Sequence, residues 1–236
     1  MSDARRSNDV SDRVAARYAR RSMQGYARWK IRFDPIYGGV LEALRDVRTP
    51  IVDVGCGIGL LPFFLREHGL TVPIAGFDFD ERKIAAARDA GRGDRDLVFG
   101  VGDARDDLPL GHSVVLLDIL HYFDAASQQR ILGNAARAVP EGGVVVIRQP
   151  LRDASWRYRF TALVDAIGRG IRWMRAESLR YPERDEVIAP FGQFDVSIRP
   201  LWGRTPYNNY LFVLRKRAAR AARPPALVGS AFFRCY

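Results

Sequence analysis

Ile51-Val52-Asp53-Val54-Gly55-Cys56-Gly57-Ile58-Gly59 decides how the rest of the chain is read. Its first four residues form a largely apolar run, the pattern of a strand covered on both faces of a parallel sheet. Pro50 stands just ahead, where a missing N–H costs little. Three glycines alternate behind the strand, and from Leu60 an apolar helical period takes over with Leu61, Phe64 and Leu65. Strand, glycine turn and helix in that order open an α/β unit that lays a ligand directly on the main chain. Glycine permits the sharp dihedrals and the close approach, and the helix start offers unpaired N–H groups.

The spacing narrows the ligand. A dinucleotide fingerprint, G-x-G-x-x-G, needs glycine at position 60, where Leu60 stands. What is present is G-x-G-x-G with Asp53 two residues ahead, which resembles the first motif of class I S-adenosylmethionine (AdoMet) dependent methyltransferases. The resemblance implies that Asp53, Gly55, Cys56, Gly57 and Gly59 line the cofactor site, the acid near its amino-acid end. A glycine turn with no ligand is the plainer alternative for this motif taken alone.

Later signals fall in the same register. Val72 to Phe77 reads as a second strand closed by Asp78, about twenty positions past the glycines, where a ribose-binding carboxylate belongs. Asp78 is preferred to Asp80, which suits the cap of the next helix together with Glu81. Leu97 to Val101 is a third strand, followed by Gly102-Asp103-Ala104. The family pattern implies that Asp103 meets the adenine amino group, that the Ala104 N–H meets the ring, and that Phe79 flanks the cofactor. Ser113 to Leu117, wholly apolar after its first residue, is the fourth strand and ends in Asp118-Ile119-Leu120-His121-Tyr122-Phe123. This stretch resembles the family's fourth motif, so Asp118 and Ile119 are expected to reach cofactor and substrate. His121 is the group there that titrates near neutral pH, a candidate general base with Tyr122 beside it. A histidine that merely packs at a helix start is the alternative, and His68 and His112 read as structural.

Asp124 caps an amphipathic helix to Val139, and Pro140-Glu141-Gly142-Gly143 turns into a fifth strand, Val144 to Ile147. The resemblance therefore spans roughly residues 50–150. Ahead of it, Asp9 to Met23 reads as one helix, and Pro35 opens another with Ile36, Val40, Leu41 and Leu44 spaced for burial. Between them, Gln24 to Phe33 mixes aromatics and cations; Lys30 and Arg32 are candidates for the cofactor's methionine carboxylate. Beyond residue 150, Ser155 to Arg172 reads as a helix whose Trp156, Phe160, Leu163, Val164 and Ile167 stripe suits core packing. Ser178 to Glu183 starts a further helix, and Phe194 to Arg199 and Tyr210 to Leu214 are the last two strands. The polar and aromatic Trp202–Asn209 turn between them suits a substrate cavity.

Composition bounds the rest. With 236 residues and 13 prolines spread along it, the chain fits one α/β domain with extensions: a helical cap at 1–48, the AdoMet-binding domain at 49–216 and a basic tail at 217–236. Two cysteines without metal-ligand spacing, no signal core and no membrane-length apolar run suit a reduced, cytoplasmic setting. The net charge of +10 sits at the ends: residues 1–48 hold 11 basic and 6 acidic side chains, and residues 215–236 hold 6 basic and none acidic. Such ends point to an acidic partner, or to nothing more than an arginine-rich composition.

The expected fold is a Rossmann-like, doubly wound sheet of seven strands in the order 3-2-1-4-5-7-6, the last strand antiparallel, as the resemblance implies. The expected activity is methyl transfer from S-adenosyl-L-methionine to an oxygen or carbon of a small aromatic or acyl molecule. The missing N-P-P-Y or D-P-P-Y tetrapeptide after the fourth strand argues against amino-group methylation of bases. Arg28-x-Lys30-x-Arg32-x-Asp34-Pro35 and the Gly203–Asn209 hairpin resemble, more loosely, bacterial methyltransferases found with aryl polyene and fatty-acid-like pathways. That likeness implies an acceptor tethered to an acidic acyl carrier protein. An RNA methyltransferase and a non-catalytic AdoMet-fold binding subunit are the rival classes. No nucleic-acid-binding module is visible for the first.

Overall fold

The computed structural model describes residues 10–170, 179–203 and 205–218, without the side chains of residues 165–170. Arg204, Cys235 and most of the basic tail lie outside the described residues. Seven strands form one sheet in the order β3-β2-β1-β4-β5-β7-β6. They are β1 (Ile51–Val54), β2 (Ile74–Asp78), β3 (Leu97–Val101), β4 (Ser113–Leu117), β5 (Val144–Pro150), β6 (Phe194–Pro200) and β7 (Asn209–Lys216). β1 to β5 run parallel, and β7 enters antiparallel between β5 and β6.

Alternation along the strands explains the two layers of helices. Ile51, Val115, Val144, Val146 and Leu211 face one core with α1 (residues 10–16), α2 (Arg21–Phe33), α3 (Ile36–Leu44), α4 (Leu60–Glu67) and α5 (Glu81–Ala90). Val52, Val54, Leu116, Val145, Ile147 and Phe212 face the other with α6 (Ala125–Ala138) and α8 (Arg184–Ile188). β5 is buried at every position, as a strand covered on both faces should be. The order of strands reverses between β1 and β4, so their carboxyl ends open a crevice where ligands bind in such sheets.

Several local expectations need correction. The helix expected over Asp9 to Met23 is broken at residues 17–20, where Tyr18 turns inward and accepts Gln24 Nε2 on its carbonyl; α2 restarts at Arg21. β2 starts at Ile74 instead of Val72. β5 runs three residues past Ile147, because β7 pairs with it as far as Pro150↔Asn209. The same pairing carries β7 out to Lys216, and β6 reaches Pro200. In α7 (Trp156–Gly170) the expected core stripe fails at two places: Trp156 and Leu163 are exposed. Ile167 lies outside the described side chains. Residues 179–183 are irregular; Glu183 caps α8 instead, in a capping box with Glu186.

Candidate active site

The glycine turn is shaped by what surrounds it. Gly55 (φ 76°) lies so close to Ile119 that a Cβ there would sit 2.6 Å from its Cγ2, so both the conformation and the space demand glycine. Gly57 (φ 57°) also needs its left-handed backbone, yet a Cβ there would meet nothing within 4 Å, which marks it as the residue open to the crevice. Gly59, also left-handed, leads into α4. Cys56 turns away from the crevice: its sulfur packs on Gly76 of β2, and burial beside Asp53 and Asp78 pushes the thiol well up. Tyr18 pins the turn from the other side by donating its hydroxyl to the Ile58 carbonyl at 2.8 Å. Burial raises that phenol far above its ordinary range, so Tyr18 is a fixed donor.

Beneath the turn lie two acids. Asp78 is buried at the end of β2; Oδ2 accepts the Gly57 N–H at 3.0 Å and Oδ1 the Asp80 N–H at 2.9 Å. Lys83 Nζ stands 3.9 Å away. Asp53, 3% exposed in β1, is pushed up to about 7 by burial and by the neighbouring Asp78. Asp103 follows β3, where the Gly102 N–H bonds the Asp78 carbonyl. It is partly exposed and holds Arg105 through both oxygens, and that hydrogen bonding lowers its carboxyl. Asp103 and Arg105 line a cavity of about 460 Å³ together with Asp106, Ala126, Ser127 and Arg130. Phe79 presents an exposed ring with Lys83 5.7 Å from its centroid.

On the other side of the crevice, Arg148 reaches out of β5, 4% exposed, and its guanidinium holds both Asp34 and Asp118. Lys30 pairs with Asp34 at 2.7 Å. Burial would raise the Asp34 carboxyl, but Arg148 and Lys30 outweigh it and hold it at about 2. Asp118 has φ 56°, a conformation uncommon outside glycine and often found where a site imposes it. Its Oδ1 and Arg148 Nε are buried and find no partner among the described residues. His121, 4% exposed in the 3-10 turn Leu120–Tyr122, lies on the opposite face of β5, against Gln149. Its ring meets Tyr122 at 4.1 Å and stacks on Tyr181 at 5.8 Å.

The structure thus gathers Asp53, Gly55, Cys56, Gly57, Gly59, Asp78 and Ile119 around one turn and sets Asp103 and Ala104 beside them. Lys30 belongs to the Asp34–Arg148–Asp118 group, while His121 and Tyr122 stand across β5 from that group. Three residues of weight escaped the sequence reading. Arg148 and Gln149 lie just past the apolar run that defined β5, and Asp34 stood in a quoted motif without a role. An arginine and a glutamine continuing a buried strand are the signal that could have found the first two.

Residues 51–143 match the family model of the methyltransferase domain. The sheet and its switch-point crevice have the fold of class I AdoMet-dependent methyltransferases, and the match lies across β1 to the turn before β5. A curated relative, 3-hydroxy-5-methyl-1-naphthoate 3-O-methyltransferase of Streptomyces sahachiroi, is 37% identical over 117 residues, which are 47% of this chain and 33% of that protein. The chain thus spans about a third of the length of that relative. Solved structures share the fold. An O-methyltransferase family protein of Burkholderia thailandensis superposes with TM-score 0.60 at 17% identity, covering 87% of this chain and 63% of that one. The magnesium protoporphyrin IX methyltransferase of Synechocystis PCC 6803, with bound SAH, gives 0.59 at 15%, covering 87% and 86%. Among the described residues, no helix is long and apolar enough to cross a membrane.

Proposed function

We propose that this chain transfers a methyl group from AdoMet to an oxygen or carbon of a small aromatic or acyl molecule. The observation that carries the reading is the buried pair Asp53 and Asp78 under Gly57: two acids, Asp53 pushed up to about 7 by burial and by its neighbour, form a site that favours a cationic ligand. AdoMet carries an ammonium and a sulfonium and, when bound, supplies a methyl group ready for displacement. Its fit is supported by the open backbone at Gly57, by Asp78 at the end of β2 for the ribose, and by Asp103 and the Ala104 N–H for adenine. The residues bind and align; Ile119 seals the turn against water, and the cap residues of α1 and α2 cover it through Tyr18.

We assign the acceptor side to the carboxyl end of β4, where His121 and Tyr122 follow Asp118 in the 3-10 turn. The naphthoate acceptor named for the Streptomyces relative supports an aromatic hydroxy compound here. An acidic carrier protein has support in the outer face of α2, where Trp29 and Phe33 are exposed beside Arg28 and Arg32. The test is turnover of methyl-labelled AdoMet with a panel of hydroxynaphthoates, free and carrier-bound. Label transferred to none of them, under conditions where S-adenosylhomocysteine (AdoHcy) binds, would leave the non-catalytic binding subunit as the reading.

A further inference from the structure

Gln149 is wholly buried in β5, and one atom of its side chain makes two contacts. The amide nitrogen lies 3.2 Å from the Pro150 carbonyl oxygen and 3.3 Å from His121 Nδ1. An amide nitrogen donates two hydrogen bonds and accepts none, so it serves both contacts as donor. Turning the amide over would set its oxygen against the Pro150 carbonyl, two buried acceptors facing each other. The carbonyl therefore orients the amide, and the amide in turn selects the form of the imidazole. Nδ1 must offer a lone pair. A neutral ring with its lone pair on Nδ1 carries its proton on Nε2, whereas an imidazolium would set N–H against N–H. Rotating the ring by half a turn brings carbon, not Nε2, to the amide, and the rings of Tyr122 and Tyr181 pack against such a rotation.

We propose that Gln149 is a positioning residue that holds His121 as the neutral Nε2–H tautomer, so that His121 meets a methyl acceptor as a hydrogen-bond donor and not as the base that removes its proton. Resting on the methyl-transfer reading above, this defines a class of acceptor: an acidic phenol or enol that enters as its anion. An Nε2–H donor stabilises such an oxyanion. In the transfer step, an electron pair of the anion forms the new bond to the methyl carbon while the carbon–sulfur pair leaves to sulfur. No proton moves, and charge balances as anion and sulfonium neutralise each other.

The experiment is histidine-selective ¹⁵N NMR on the full chain without ligand. The chain holds 3 histidines, and the signal lost in His121→Phe assigns the one in question. At pH 7.5 the wild-type ring should show a protonated Nε2 and a bare Nδ1. Gln149→Leu, which removes the donor at nearly constant volume, should give a mixture of tautomers. Gln149→Glu, which offers an acceptor, should move the proton to Nδ1 or produce the imidazolium. A wild-type ring protonated on Nδ1 or on both nitrogens overturns the proposal, as does a spectrum that neither variant alters. AdoHcy titration of the same samples separates the two claims: an Nε2–H ring in a protein that takes up no AdoHcy would sink the methyl-transfer reading and leave the tautomer standing.

Discussion

At the ends of β1 and β2, Asp53 and Asp78 lie buried beside each other, with Lys83 no nearer to Asp78 than 3.9 Å. At the ends of β4 and β5, Asp118 and Asp34 share the guanidinium of Arg148. Burial raises a carboxyl in both places, and only the partner differs. Without a close cation Asp53 is pushed up to about 7; with two cations Asp34 is held at about 2. The first pair therefore keeps an unmet demand for positive charge, which a ligand can satisfy. The second has met its demand within the chain, and in doing so fastens the α2–α3 junction, where Asp34 sits, onto the centre of the sheet.

The sharpest way to break this comparison is to remove the guanidinium. Arg148→Met should cost about 3–5 kcal/mol of stability, because buried carboxylates lose their partner. Asp118 is part exposed, which favours the lower end of that range. Urea unfolding of the ligand-free chain measures it, and adding Asp34→Asn to Arg148→Met should recover part of the loss. A cost below about 1 kcal/mol would place the pair with ordinary surface ion pairs and end its structural role.

Asp78→Ala should act on the ligand as well as on the turn that Asp78 holds through the Gly57 and Asp80 N–H groups. Loss of hydrogen bonds to a charged group should weaken AdoHcy binding by about 1.5–3 kcal/mol, roughly 10- to 150-fold. Calorimetric titration reads this directly, with NAD as the control that should give no heat. Equal AdoHcy affinity in the variant would remove Asp78 from the site.

Protons should distinguish the two carboxylate groups as well. Between the ordinary Asp value of 3.8 and about 7, the native state binds more protons than the unfolded state at Asp53. Its contribution to stability therefore falls as pH rises through that window and is level above it. Asp34 has the opposite sign: its contribution is full above 3.8 and is lost as pH falls toward 2. A cationic ligand favours ionised Asp53, so AdoMet binding should release a proton near pH 6 and weaken by up to about tenfold per pH unit below 7. Titrations in buffers of different ionisation heat count that proton. Uptake instead of release would mean that Asp53 does not face the ligand's charge.

How much of this was legible follows from where each signal resides. β1, β3, β4 and the glycine turn were readable because apolar runs and left-handed backbone are local requirements, visible in Ile51–Gly59 without knowledge of any neighbour. The order of the seven strands came from family resemblance, since pairing of β7 between β5 and β6 leaves no local mark. The same pairing hid the last three residues of β5, whose Arg148 and Gln149 break the apolar run that had defined the strand. Trp156 and Leu163 show the converse error: a helical stripe states which side chains could be buried, but what packs on α7 is decided elsewhere. Asp34 and Arg148 stand 114 positions apart, and no spacing rule joins them.

The smallest expected effect tests how far the ligand-facing character extends from Asp78. Asp103 is partly exposed, and its oxygens already take Arg105 Nε at 2.9 Å and the second guanidinium nitrogen at 2.5 Å. A hydrogen bond from an adenine amino group would share those oxygens with Arg105 and compete with water. It should therefore contribute about 0.5–1.5 kcal/mol, less than the bonds at buried Asp78. Asp103→Ala should weaken AdoHcy binding by about tenfold at most. S-inosylhomocysteine, which presents a carbonyl where adenine has its amino group, should bind the wild type more weakly than AdoHcy and lose that disadvantage in the variant. If Asp103→Ala costs as much as Asp78→Ala, exposure does not set the worth of these carboxylates, and the contrast between buried and partly exposed acids on this side of the crevice fails. If the two ligands keep their wild-type ratio, the purine edge is read elsewhere, and the Ala104 N–H is the next group to test.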